Sequence, residues 1–129
     1  MIFRNMEENK KILIIEDDRG YMFALKTCFN EAGFFVVQAK SAEEALVFVE
    51  KEKPDIALVD IMLPGMNGIE LAKKFQEKGQ KFPVIFLTNL NDEGNISKAM
   101  EASPSDYLVK ADTSLEEIVK RVKSKLGIK

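Results

Sequence analysis

The chain has 129 residues, 46% of them hydrophobic, which is enough for one domain with a real core and too few for two. Its 19 basic and 21 acidic residues nearly cancel, so no global field recruits nucleic acid or an anionic membrane. With no histidine, Ser-His-Asp and Cys-His catalysis, imidazole metal sites and a phosphohistidine carried on this chain are excluded, and chemistry is left to carboxylates, hydroxyls and lysines.

Residues 1–9 begin Met1-Ile2-Phe3-Arg4-Asn5-Met6 and lack the apolar core and small-residue cleavage site of a signal peptide. They are expected to be a flexible lead-in to one domain over residues 10–129. Five short apolar runs then recur: Ile12–Ile15, Phe34–Val37, Ile56–Val59, Val84–Leu87 and Tyr107–Val109. Each has the length and composition of a buried strand, and all fall far short of the roughly 20 residues of a membrane helix. No membrane insertion is expected. Between the runs lie helical patterns, such as Ala42, Ala45, Leu46, Val49 and later Leu115, Ile118, Val119, Val122, Leu126. Ser41 with Glu44 and Thr113 with Glu116 have the spacing of capping boxes, and Asn67 with Glu70 that of a weaker one. Cys28, the only cysteine, sits in an apolar helical pattern; it is expected to be a small buried hydrophobe, which suits a cytoplasmic protein without an intrachain disulfide.

Strands apolar on both faces and alternating with helices predict an α/β fold: one doubly wound, five-stranded parallel sheet with five helices. Ligands of such sheets bind beyond the carboxyl ends of the strands, near the point where strand order reverses. The first strand ends in Glu16-Asp17-Asp18, the third in Asp60, the fourth in Thr88-Asn89 and the fifth in Lys110. The second, ending Gln38-Ala39-Lys40, has no evident place in this pattern. Glu16, Asp17 and Asp60 at one edge would repel one another unless a cation neutralised them, and all-oxygen ligands suit Mg²⁺ or Mn²⁺. Such a cation pairs carboxylates with a phosphate; Lys110 and Thr88 are the donor types that stabilise a phosphoryl group, and Asp60 can itself attack phosphorus. Singly, each residue has an ordinary structural reading as a cap, a solvated loop or a strand end. Their coincidence at successive strand ends is the signal.

From Lys10 to Leu126 the sequence resembles the response-regulator receiver domain of two-component signalling, of the stand-alone chemotaxis-regulator kind. The resemblance lies in Lys11-Ile12-Leu13-Ile14-Ile15-Glu16-Asp17-Asp18, in Pro54-Asp55-Ile56-Ala57-Leu58-Val59-Asp60-Ile61-Met62-Leu63-Pro64-Gly65-Met66-Asn67-Gly68, in Pro83-Val84-Ile85-Phe86-Leu87-Thr88 and in Asp106-Tyr107-Leu108-Val109-Lys110. It implies a flavodoxin-like (βα)5 fold with strand order 2-1-3-4-5, and phosphorylation of Asp60 by a histidine kinase or phosphotransfer protein. It also implies Mg²⁺ held by Asp17, Asp60 and the Met62 carbonyl, with Glu16 joining through water. Lys110 would contact the phosphoryl group, and Thr88 and Tyr107 would form the switch that alters a protein-binding face made by the fourth helix, fifth strand and fifth helix. The domain would be a phosphoacceptor rather than a classical enzyme, with no direct nucleic-acid contact.

Several positions depart from the family pattern. Ala111 follows Lys110 where proline with a cis bond is usual; a non-proline cis bond costs about 2.5–4 kcal/mol, so a trans, differently shaped loop is expected. Asn89 stands where a smaller residue is common and is expected to narrow access. Apolar Met62 and Leu90 suggest slow self-dephosphorylation, and Pro104 within Ser103-Pro104-Ser105-Asp106 is expected to stiffen the approach to the fifth strand. An aspartyl-nucleophile phosphatase would carry a second aspartate where Met62 stands, a flavin phosphate would be repelled by the acidic first loop, and a receiver-like module that is never phosphorylated would have no use for the full site. A stand-alone regulator or phosphorelay shuttle is the preferred expectation.

Overall fold

The computed structural model describes residues 10–89 and 106–129. Strands β1 (Lys11–Ile15), β2 (Phe35–Ala39), β3 (Ile56–Asp60), β4 (Val84–Thr88) and β5 (Asp106–Val109) form one parallel sheet in the order β2-β1-β3-β4-β5. Helices α1 (Arg19–Glu31), α2 (Ala42–Glu52), α3 (Gly68–Glu77) and α4 (Leu115–Leu126) complete the described architecture. This is the flavodoxin-like sheet expected from the sequence. The expected fourth helix, together with Leu90 and the Ser103-Pro104-Ser105 turn, lies outside the described residues; the expected fifth helix is α4.

Alternation along the strands builds two cores. Ile12 and Ile14 of β1, Ile56 and Leu58 of β3, and Ile85 and Leu87 of β4 pack with Leu25 and Phe29 of α1 and Ile118 and Val122 of α4. Leu13, Ile15, Ala57, Val59 and Phe86 point to the other face, against Ala45 and Val49 of α2 and Leu71 and Phe75 of α3. A parallel sheet buried on both faces in this way needs the near-continuous apolar runs that marked β1, β3 and β4.

Three expectations need correction. β2 and β5 are not buried strands but the two sheet edges: β2 runs to Ala39 and leaves Phe35 58% exposed with the Lys11 ammonium 5.2 Å from its ring, and β5 buries only Leu108. The cap of the last helix is Ser114 with Glu117, not Thr113 with Glu116, because a 3₁₀ turn over Lys110–Asp112 carries the chain one residue further before α4 begins. Cys28 is half-buried on α1 rather than a core residue. The Ser41 and Asn67 caps are present, each side-chain oxygen accepting from the amide of Glu44 or Glu70. Glu44 reaches back to the amide of Lys40 rather than to that of the cap.

Register places the strand ends. Ile15 pairs with Val59, which sets Glu16 beside Asp60; Asp60 pairs with Leu87, which sets Thr88 one step beyond it; Thr88 pairs with Val109, which sets Lys110 one step beyond Thr88. β1 is also where the chain reverses its direction of winding, from β2 on one side to β3 on the other. The acidic loops therefore meet at the topological switch point.

Candidate functional site: an acidic cluster with one lysine

Glu16, Asp60 and Thr88 are the buried polar or charged residues of the described chain, at 1%, 2% and 3% exposure. Exposed Asp17 completes a cluster in which Glu16, Asp17 and Asp60 each present a carboxylate oxygen within 4.8 Å of the others. Lys110 reaches into it from the end of β5. Its Nζ donates to Glu16 Oε1 at 2.6 Å and to Asp60 Oδ2 at 3.2 Å, with the lysine side chain 10% exposed. The remaining oxygens are oriented by backbone: the Asp18 amide donates to Glu16 Oε2 and the Met62 amide to Asp60 Oδ1, each at 3.0 Å. Asp18 turns the chain into α1 as its N-cap, accepting from the Tyr21 amide at 2.9 Å.

Gly68 draws the opposite wall tight. A Cβ there would lie 2.4 Å from the Asp60 carbonyl oxygen and 2.9 Å from Ile61 Cα, so only glycine lets α3 start this close to the end of β3. The Gly68 amide in turn donates to the Ile61 carbonyl at 3.0 Å.

The charges are interdependent. Burial raises the Glu16 carboxyl above its usual range, and the nearby Asp60 charge adds to this, against the opposing bonds from Lys110 and the Asp18 amide. Burial alone would lower Lys110, but the Glu16 hydrogen bond and the charges of Asp60 and Glu16 outweigh it and hold the ammonium above its ordinary value. Three carboxylates facing one ammonium leave an excess of negative charge, and a hard divalent cation is what an all-oxygen donor set of this kind fits.

An open cavity of about 540 Å³ leads to the cluster, and Met62, Asn89 and Ala111 line it alongside Glu16, Asp17, Asp60 and Lys110. Asn89 is thus part of the cavity wall. The described residues contain no cis peptide bond, so Lys110–Ala111 is trans, and the loop continues as the 3₁₀ turn. Thr88 is buried at the end of β4 without forming part of the cavity wall, and Tyr107 lies on β5 at 38% exposure. The structure therefore brings Glu16, Asp17, Asp60, Met62 and Lys110 to one cavity and leaves Thr88 and Tyr107 out of its wall.

Sequence reasoning missed Tyr21. Its ring lines the same cavity, with the Lys110 ammonium 4.6 Å from the ring centroid. Burial raises the phenol above its ordinary value, the charges of Glu16 and Asp60 adding to the effect and that of Lys110 opposing it. A helix cap at Asp18 was the available signal, since the residue three positions on occupies the first turn and stands over the strand ends.

Comparison with known proteins agrees with this fold. The structure is closely similar to a CheY-like response regulator receiver domain protein from Methanospirillum hungatei, with a TM-score of 0.86 and 29% identity over 92% of this chain and 94% of that one. It is equally similar to the receiver domain of the Francisella response regulator 1452, with a TM-score of 0.85 and 30% identity over 92% of this chain and 98% of that one. These likenesses define a CheY-like receiver fold. Residues 12–123 match the response regulator receiver domain family, and the chain belongs to it. Among curated relatives, sporulation initiation phosphotransferase F of Bacillus subtilis is 34% identical over 94% of this chain and 97% of its own length. The alkaline phosphatase synthesis transcriptional regulatory protein PhoP of the same species is 36% identical over 90% of this chain, which spans 48% of that protein. Among the described residues, no helix is long and apolar enough to cross a membrane.

Proposed function

We propose that this receiver domain accepts a phosphoryl group on Asp60 from a histidine kinase or phosphotransfer protein and changes its partner binding in response. The observation that carries this reading is the convergence of Glu16, Asp17 and Asp60 on Lys110 at the switch point of the sheet. An Asp60 carboxylate oxygen attacks phosphorus; the bond to the donor imidazole breaks, and the phosphoryl group leaves the partner as an acyl phosphate on Asp60. Because these 129 residues contain no histidine, the donor imidazole lies outside them. Glu16, Asp17, Asp60 and the Met62 carbonyl are the groups to hold Mg²⁺, or Mn²⁺ in its place, Glu16 through water. The cation supplies charge neutralisation at the transferring phosphoryl oxygens.

Lys110 supplies a fixed positive charge to the phosphoryl group, and the Thr88 hydroxyl supplies a donor to it. Thr88 engagement, with inward rotation of Tyr107, biases a face formed by β5, α4 and the fourth helix expected from the sequence, and a downstream protein that prefers the altered face stabilises it reciprocally. The protein acts on its own side chain rather than turning over a free substrate, and it works in the cytoplasm without direct contact to nucleic acid. That the relative matched over nearly its whole length is named a phosphotransferase supports a relay role.

Incubation with Mg²⁺ and a small acyl-phosphate or phosphoramidate donor is expected to add one phosphoryl mass to the intact protein, and Asp60→Asn is expected to add none. No gain in the wild type, or an equal gain in the variant, contradicts the reading.

A further inference from the structure

Tyr21 has no part in the chemistry above, although it faces the same cavity. Its hydroxyl is the one buried side-chain polar atom of the described residues that lacks a hydrogen-bond partner. The tyrosine is thus not held by its polar end, and what it offers the site is the ring face under the Lys110 ammonium, 4.6 Å away.

Lys110 is otherwise secured by two carboxylates, Glu16 and Asp60. These are the groups that would engage a divalent cation, and a carboxylate so engaged attracts the ammonium less while the added positive charge repels it. The backbone gives little compensation: Lys110 opens a one-turn 3₁₀ segment whose closing bond, Thr113 amide to Lys110 carbonyl, is 3.4 Å long. The aromatic ring is the partner for which a cation in the acid cluster does not compete.

We propose that Tyr21 is a positioning residue for Lys110, its ring holding the ammonium beside Asp60 when the carboxylates turn to a divalent cation. This role rests on the phosphoryl-acceptor reading, and it concerns the ring alone, so phenylalanine can fill it and an aliphatic residue cannot.

The test compares wild type, Tyr21→Phe and Tyr21→Leu, with thermal melts establishing that each is folded. In the first measurement, the side-chain methylene protons of Lys110 next to Nζ are followed by NMR without metal and then with Mg²⁺ alone. A ring-shielded, upfield position is expected in wild type and Tyr21→Phe, before and after Mg²⁺, and a position near that of free lysine in Tyr21→Leu. Equal positions in wild type and Tyr21→Leu, or loss of shielding in wild type on adding Mg²⁺, overturn the proposal. The second measurement is the rate of Asp60 phosphorylation by a small donor at saturating Mg²⁺. Tyr21→Leu is expected to be slower on the order of fivefold, the scale of one cation–π contact, and Tyr21→Phe to recover most of that loss. If wild type gains phosphate and Tyr21→Leu does so at the same rate, the role of Tyr21 fails and the phosphoryl-acceptor reading stands; if wild type gains none, both fail.

Discussion

Side chains that meet at the acid cluster are held by a few short contacts, and Gly68 shows how little slack the surrounding backbone has. Gly68→Ala would drive a methyl group into the Asp60 carbonyl, where a Cβ has 2.4 Å of space, and the atoms that must yield are the backbone of Asp60 and Ile61 together with Val59 Cγ1. The variant is expected to lose roughly 1–3 kcal/mol of stability, the usual scale for overpacking, seen as a lower urea midpoint at an unchanged slope. An unchanged midpoint would show that the start of α3 yields without cost. At this scale the sequence was informative wherever a residue's chemistry was unusual for its place. Glu16, Asp17, Asp60 and Lys110 stand out together, because each has an ordinary structural reading alone and only their coincidence at successive strand ends does not. Tyr21 did not stand out, because an aromatic in an amphipathic helix is ordinary and only the tertiary fold brings Lys110 over its ring.

At the scale of elements, the strands and the starts of α2 and α3 were legible because apolar runs and capping chemistry leave local marks. The exceptions have tertiary causes. Thr113-Ser114 and Glu116-Glu117 give two overlapping capping patterns, and the choice between them depends on where the 3₁₀ turn after Lys110 ends. The Ser114 hydroxyl accepts from the Glu117 amide at 3.1 Å, and the Glu117 carboxylate accepts from the Ser114 amide at 3.2 Å. Ser114→Ala is therefore expected to cost about 1 kcal/mol and Thr113→Ala less than half of that, measured by thermal or urea unfolding. The reverse ranking would restore the cap expected from sequence. β2 escaped for a different reason: its apolar run resembles those of the central strands, and nothing local in Phe35-Val36-Val37 records that no strand lies on its far side.

For the molecule as a whole, the cluster is a store of unfavourable charge placed at the one edge of the sheet where the winding reverses. An ion that binds the folded chain and not the unfolded one stabilises it by mass action, by about 2.7 kcal/mol when present at 100 times its dissociation constant. Mg²⁺ is therefore expected to raise the melting temperature of the wild type, and Asp17→Asn, which alters the exposed member of the cluster, to blunt that rise. An equal rise in both proteins would place the ion elsewhere. The fold and the acidic cluster with its lysine were thus readable in advance, since parallel register carries Glu16, Asp60 and Lys110 to strand ends at one edge, whereas Tyr21 was not. The trans loop after Lys110 and the presence of Asn89 in the cavity wall followed from departures at single positions.

Chemical trapping shows directly which side chain takes the phosphoryl group. Protein treated with Mg²⁺ and a small phosphoryl donor is reduced with borohydride, which converts an aspartyl phosphate to homoserine, and is then mapped by peptide mass spectrometry. Homoserine at position 60 alone is the expected result. Conversion at Asp17, or an unaltered residue 60 in protein that has gained a phosphoryl mass, would contradict the account.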